Sequence, residues 1–243
     1  MRLAILADIH GNFRALQAVL ADIALAGADR IVSLGDNVGY GPEPEEVVRT
    51  LDQYRIVSVM GNHELGLVSR SYCSRLHATA RDSLSLTRAL LSPASLAWLA
   101  ALPSFRLCGD VRFVHGCPPQ SMTEYLHAPT ATRLQRIFAA YPERICFAGH
   151  THDLGWYQQD GDVAASRDVR VERRRLDPDT RYLLLPGSVG QPRDALNWYA
   201  KYMLWDQEAA TVEVRALDYD VQATIRLLGE RGFPASNAQR LFW

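Results

Sequence analysis

An α/β protein is what the sequence predicts, with a largely parallel sheet in its first half and a second sheet built by its second half. Short aliphatic runs alternate with helically spaced apolar residues over positions 2–60. β-like runs crowd the chain from Phe105 onward. A composition 48% hydrophobic and 22% charged over 243 residues supplies enough apolar surface for a real core. Disorder, coiled coil and collagen-like structure are excluded by the same numbers. No Pro-, Gly- or Ser-rich linker interrupts the chain, so residues 1–243 are expected to form one domain.

Arg2 to Ala7 reads as the first strand. Phe13, Leu16, Val19, Leu20 and Ile23 then recur at helical spacing, ending near Gly27. Arg30 to Leu34 is a second strand and Ile56 to Met60 a third. Between them Pro44 to Leu51 reads as a short helix with Glu45 and Glu46 in its first turn, where the helix dipole favours acid. Such alternation places ligand sites in loops beyond the C-terminal ends of the strands. From about Cys73 to Leu102 the spacing of Leu76, Ala80, Leu84, Leu90 and Leu91 predicts helix, with Pro93 opening a second one. Strands are predicted at Phe105–Cys108, Val111–His115, Ile145–Ala148, Val169–Val171, Tyr182–Leu185, Tyr202–Trp205 and Thr211–Ala216. Further helices are predicted around Ala131–Ala140 and Val221–Arg231.

Lys plus Arg number 26 against 27 Asp plus Glu, so the net charge of -1 gives no bulk attraction to nucleic acid or to an anionic membrane. Neither is expected as a partner. Asp8 and His10 interrupt the apolar opening run well short of a signal peptide's apolar region or a ~20-residue membrane span. Cys73, Cys108, Cys117 and Cys146 show no C-x-x-C spacing. A cytoplasmic protein with reduced cysteines is therefore expected.

Five polar clusters sit at or just after predicted strands: Asp8-Ile9-His10, Gly35-Asp36-Asn37, Gly61-Asn62-His63-Glu64, His115-Gly116 and Gly149-His150-Thr151-His152. They hold five of the seven histidines. In extended backbone, residues i and i+2 point the same way, so Asp8 with His10, and His150 with His152, can each aim two ligands at one point. Carboxylate, imidazole and amide oxygen together suit manganese, iron or zinc better than calcium or Cu(I). One Asp-x-His alone is more often a capped loop than a ligand pair. Five such loops in order make coincidence a poor account.

In this order the clusters resemble the calcineurin-like metallophosphoesterase superfamily. Gly35 to Pro42, Glu124-Tyr125-Leu126, Pro186 to Asp194 and Arg231-Gly232-Phe233-Pro234 extend the likeness toward the C-terminus, and look like its small bacterial and archaeal phosphodiesterase branch. The resemblance implies a four-layer α/β/β/α sandwich of two mixed sheets flanked by helices. It also implies two divalent metal ions, manganese first, with iron, zinc, nickel or magnesium as alternatives. Carried over residue by residue, Asp8, His10 and His152 would hold one ion, Asn62, His115 and His150 the other, and Asp36 would bridge both. His63 would act on the leaving oxygen or on transition-state charge, with a structural histidine as the bland alternative. Glu64 is expected to accept from a liganding imidazole.

The implied activity is hydrolysis of a phosphodiester or nucleotide phosphoanhydride by a hydroxide shared between the metals. A diadenosine polyphosphate hydrolase is the alternative, followed by a phosphomonoesterase or protein phosphatase. A non-catalytic scaffold of this fold would lack ligands, and all seven positions are filled here. The expected partner is a small phosphate ester or nucleotide, and a homo-oligomer is compatible with the sequence. Arg193, Asn12 and Tyr40 are candidate substrate contacts, Asn12 also being a natural cap for the first helix. Tyr40, Tyr125 and Trp156 could stack on a base, although such aromatics are more often core or pocket wall. Arg167, Arg170, Arg173, Arg174, Arg175 and Arg181 read chiefly as a charged edge strand, with a phosphate-binding rim as the alternative.

Overall fold

Alternate side chains of β1 (Arg2–Leu6) enter two different cores, and that alternation sets the layering. Leu3 and Ile5 face a cluster shared with a second sheet, whereas Ala4 and Leu6 face a cluster closed by helix. The computed structural model describes residues 1–194 and 198–242. In chain order, α1 (Phe13–Ala26), β2 (Arg30–Ser33), α2 (Pro44–Gln53) and β3 (Val57–Ser58) follow β1. Four helices come next: α3 (Asn62–Val68), α4 (Arg70–Cys73), α5 (Ala78–Leu90) and α6 (Pro93–Ala100). Then come β4 (Phe105–Cys108), β5 (Val111–Val114), α7 (Ala131–Ala139), β6 (Ile145–Ala148), β7 (Leu154–Asp160), β8 (Val163–Arg167), β9 (Arg173–Arg175) and β10 (Arg181–Pro186). The chain closes with β11 (Ala200–Asp206), β12 (Thr211–Leu217), α8 (Val221–Glu230) and α9 (Ala235–Gln239).

Two six-stranded sheets result, ordered β3-β2-β1-β11-β12-β9 and β4-β5-β6-β10-β7-β8. Helices flank both, as the four-layer arrangement requires. Leu3, Ile5 and Val32 of the first sheet meet Phe113, Phe147 and Leu184 of the second in the central core. Leu16, Val19 and Ile23 of α1 cover the outer face of the first sheet, and Leu134 and Phe138 of α7 cover that of the second. Asn12 caps α1 by accepting from the Ala15 N–H at 3.1 Å, and Gly27 ends it with a φ of +75°. Pro93 opens α6 behind the Ser92 cap, as its missing N–H allows.

The sheets are more mixed than the alternation suggested. β1, β2 and β3 run parallel, as do β5, β6 and β10, but β11, β12, β9, β4, β7 and β8 join antiparallel. Val169 to Val171 is irregular, and the strand falls at β9 instead, where three arginines border the sheet and Arg173 pairs with Glu213 at 2.5 Å. The β7–β8 hairpin turns on Gly161-Asp162, a Gly-Asp pair that is itself a hairpin signal in the sequence. α3, α4 and α9 are too short to show a helical period.

One ion pair fixes α1 to the first sheet. Asp22 accepts from Arg215 Nε at 2.6 Å and Nη2 at 2.7 Å, and from the Tyr202 hydroxyl at 2.7 Å. The Arg215 hydrogen bonds hold its carboxyl below the ordinary 3.8. A depressed carboxyl contributes stability that is present above its ordinary value and is lost as pH falls through the folded one. Asp22→Asn should therefore lower the urea midpoint at neutral pH, and its deficit relative to the parent should shrink as pH drops below 3.8. Urea titrations of both proteins at several pH values check this. A deficit constant down to acid pH contradicts it.

Candidate metal centre

Both sheets aim the ends of parallel strands at one place. Asp8 and His10 follow β1, Asp36 follows β2 and Asn62 opens α3 after β3, while His115 follows β5 and His150 and His152 follow β6. All seven are at most 5% exposed. Asp8, His10, Asp36 and His152 present ligand atoms within 4.8 Å of one another, and so do Asp36, His115 and His150. Asp36 belongs to both groups. The Asn62 Oδ1 joins the second group, 3.2 Å from His115 Nε2.

The backbone that achieves this is not extended, contrary to the i, i+2 expectation. Asp8, His10, Asp36, His150 and His152 have φ of +54°, +51°, +51°, +70° and +63°. Left-handed conformations of this kind cost about 1–3 kcal/mol each and persist only where neighbours hold them. Here the loops hold one another: Asp8 N–H donates to Gly35 O, His10 N–H to Asp36 O and Gly190 N–H to Asp8 O, at 2.8–3.1 Å. The Ser188 hydroxyl adds a 2.8 Å bond to the same Asp8 carbonyl.

Glu64 is the hub of this packing. Its Oε2 accepts from the N–H of Asp36 at 2.9 Å and of Gly61 at 2.8 Å, and its Oε1 accepts from Asn37 N–H at 2.7 Å. It therefore pins the Asp36 turn through backbone amides and not through an imidazole, a correction to the expectation. Gly61 is squeezed against the same turn. A Cβ there would lie 2.2 Å from Asp36 Oδ1.

Each liganding imidazole is fixed from behind by a main-chain carbonyl. His10 Nδ1 meets Val38 O at 3.2 Å, His115 Nδ1 meets Leu34 O at 2.8 Å, His152 Nδ1 meets Gln191 O at 2.6 Å and His150 Nε2 meets Thr123 O at 3.2 Å. A carbonyl only accepts, so the proton of each neutral ring sits on that outer nitrogen and the lone pair points inward. The inward nitrogens then face each other, His10 Nε2 to His152 Nε2 at 3.0 Å and His115 Nε2 to His150 Nδ1 at 3.1 Å. In the His10–His152 pair, where burial keeps both rings neutral, opposed lone pairs repel, and a cation between them removes the conflict.

The electrostatics agree. Burial lowers His10 and His152 well below the ordinary histidine value and pushes His150 down to about 3. Burial also pushes Asp8 up to about 8. Against burial, the Asp36 carboxylate holds His115 up at about 9, and His115 in turn holds Asp36 well below the ordinary carboxylate value. Neutral His10, His150 and His152 beside two buried carboxyl groups are a donor set that fits a divalent ion.

Tyr40 covers the site, its ring centroid 4.4 Å from that of His63 and 4.9 Å from that of His10. His63 Nδ1 is buried with no hydrogen-bond partner. Arg193 is exposed beside the mouth, donating to Gln191 Oε1 at 3.1 Å near Tyr125, whose ring stacks on His150 at 3.7 Å. Asn12 is committed elsewhere. Its oxygen accepts from Ala15 N–H and Thr224 and its amide donates to Gly190 O and Tyr219, which leaves nothing for a substrate. Trp156 is 4% exposed in the central core under Arg174, so it is not a stacking platform. Half of the basic cluster is ion-paired, Arg170 with Asp168, Arg173 with Glu213 and Arg174 with Glu172, while Arg181 donates to the carbonyls of Phe138, Tyr141 and Glu143. Tyr72, on the unexpected α4, lies beside Asn62, and no pattern in the sequence marks it.

Comparison with known proteins agrees with this geometry. Residues 1–209 match the calcineurin-like phosphoesterase superfamily domain. An uncharacterized protein of Methanocaldococcus jannaschii is 31% identical over 245 residues, covering 99% of this chain and 97% of that one. The crystal structure of a metallophosphoesterase from Sphaerobacter thermophilus superposes with a TM-score of 0.85 at 34% identity, over 100% of this chain and 99% of that one. A symmetrical bis(5'-nucleosyl)-tetraphosphatase of Aromatoleum aromaticum is 31% identical over 121 residues, 47% of this chain and 44% of that one.

Gly61 tests the packing behind Asp36. Its φ of -96° and ψ of -179° suit any residue, so Gly61→Ala acts through the collision with Asp36 and not through backbone strain. The variant should fold and lose divalent-metal binding, read by elemental analysis after reconstitution with Mn²⁺. Full metal content would contradict the assignment of Asp36 to both groups.

Proposed function

This chain belongs to the calcineurin-like phosphoesterase superfamily, a family of hydrolases, and on that premise we propose that it is a two-metal phosphoesterase acting on phosphodiester or nucleotide phosphoanhydride bonds. One observation carries the reading: four carbonyl-pinned imidazoles whose inward nitrogens meet in pairs at 3.0 and 3.1 Å around a shared carboxylate. Asp8, His10 and His152 would hold one ion, Asn62, His115 and His150 the other, with Asp36 on both. Manganese is the first candidate, because the set mixes carboxylate, imidazole and amide oxygen. When bound, two such ions supply an acidified water and positive charge for the phosphoryl oxygens.

The side chains do the rest. Asn62 contributes a neutral oxygen where a third carboxylate would repel an anionic substrate. Arg193 stands at the mouth with a guanidinium suited to a phosphate oxygen. Burial lowers His63, so its ring is neutral at pH 7. Because Nδ1 lies against Gly39, Nε2 is the atom that would donate its proton toward the leaving oxygen. The partial likeness to the bis(5'-nucleosyl)-tetraphosphatase favours a dinucleoside polyphosphate as the second reading. A cytoplasmic setting suits four free cysteines, two of them buried. Among the described residues no helix is long and apolar enough to cross a membrane.

Asp36→Ala and His63→Ala separate the two roles. The first should lose both metals and all turnover. The second should keep two metals and lose about 10²-fold or more in kcat. Metal analysis, paired with hydrolysis of bis-p-nitrophenyl phosphate and p-nitrophenyl phosphate with and without Mn²⁺, reads both, and the diester should be preferred. Equal metal loss in the two variants contradicts the division.

A further inference from the structure

Two helices that this chemistry does not use grip the loop covering the centre. α8 and α9 lie beyond residues 1–209, the part matched by the family domain. Leu228, Phe233 and Leu241 anchor them against Leu86 and Leu90 of α5. From that anchor two side chains reach the loop between β2 and α2. Arg231 donates to Pro42 O and pairs with Glu46 at 3.7 Å. Asn237, 2% exposed, donates to Tyr40 O at 2.8 Å and to Ser83 Oγ at 2.9 Å.

Tyr40 is an unusual residue to hold. Its φ is +58°, and a bulky side chain in the left-handed region is an outlier that its surroundings must impose. Its ring lies on His63, whose Nδ1 has no polar partner to set the orientation of the imidazole. Packing alone therefore aims His63. Gly39 lies against Nδ1 so closely that a Cβ there would be 2.0 Å away, while the Tyr40 and His10 rings stand at 4.4 and 4.7 Å between centroids. Catalytic groups held by packed neighbours stay aimed only while those neighbours are fixed, and a misplacement of 1 Å can cost about 10²-fold in rate.

We propose that Asn237 is a positioning residue: by holding the Tyr40 carbonyl it fixes the left-handed turn, and through the Tyr40 ring it orients His63. The effect on turnover rests on the reading of His63 as the donor to the leaving oxygen. The effect on the His63 ring does not.

Three substitutions isolate the contact. Asn237→Ala removes both donated hydrogen bonds. Asn237→Asp keeps the volume and a partner for the Ser83 hydroxyl but offers no N–H to Tyr40, and it serves if the alanine variant fails to fold. Ser83→Ala removes only the other contact. With bis-p-nitrophenyl phosphate and Mn²⁺, both Asn237 variants should lose roughly tenfold in kcat with KM nearly unchanged, and Ser83→Ala should match the parent. In a Tyr40→Gly background, Asn237→Ala should have no further effect. In the metal-free protein, the NMR signals of the His63 ring, identified by their loss in His63→Ala, should shift in both Asn237 variants and stay put in Ser83→Ala. Unshifted ring signals, parent-like turnover in Asn237→Asp, or an equal fall in Ser83→Ala would overturn the proposal. Shifted signals in a protein that hydrolyses neither nitrophenyl ester would uphold it and remove the phosphoesterase reading instead.

Discussion

Opposed imidazole lone pairs in a water-poor pocket are the constraint on which the rest of the molecule depends. His10 faces His152 at hydrogen-bond distance, yet both neutral rings have their proton drawn to a carbonyl behind them, and His115 faces His150 in the same way with its outer nitrogen on a carbonyl. Two buried carboxylates stand among them. In a medium of low effective dielectric such an arrangement is unfavourable unless positive charge occupies the middle. The four carbonyls come from the end of β2 and from the loops after β2, β5 and β10, so the arrangement exists only when both sheets are assembled. Fold and site are thus one construction.

Backbone strain and loop packing follow from the same demand. Five left-handed residues, Asp8, His10, Asp36, His150 and His152, bring their side chains to one point from strands that end side by side, and Glu64 secures the turn that carries Asp36 by accepting three of its surrounding amides. Gly61 and Gly39 are small because Asp36 and His63 sit where their side chains would be. α8 and α9 extend this logic outward. They add no ligand, but they seize the β2–α2 loop at Tyr40 and Pro42, where it passes over the centre.

Much of this was legible in the sequence because a candidate metal site is written in residue type and order. Asp8, His10, Asp36, Asn62, His115, His150 and His152 stood out by following apolar runs, and the structure brings all seven together. The backbone by which they meet was not legible: extended i, i+2 pairing pointed to the right residues through the wrong conformation. The cap at Asn12 and the core placement of Trp156 were readable as the commoner alternatives, but what commits each fully lies far off in the chain, Tyr219 and Thr224 in one case and the opposite sheet in the other. Tyr72 and Asn237 gave no signal at all. Their neighbours lie 10 and 197 residues away, on helices too short to show a period.

The central claim is that two cations resolve the conflict among these donors, and anomalous X-ray scattering from crystals grown with Mn²⁺ tests it most directly. The account predicts two anomalous peaks, one among Asp8, His10 and His152, the other among Asn62, His115 and His150, with the Asp36 carboxylate touching both. A single peak, or none at these seven residues, would contradict it.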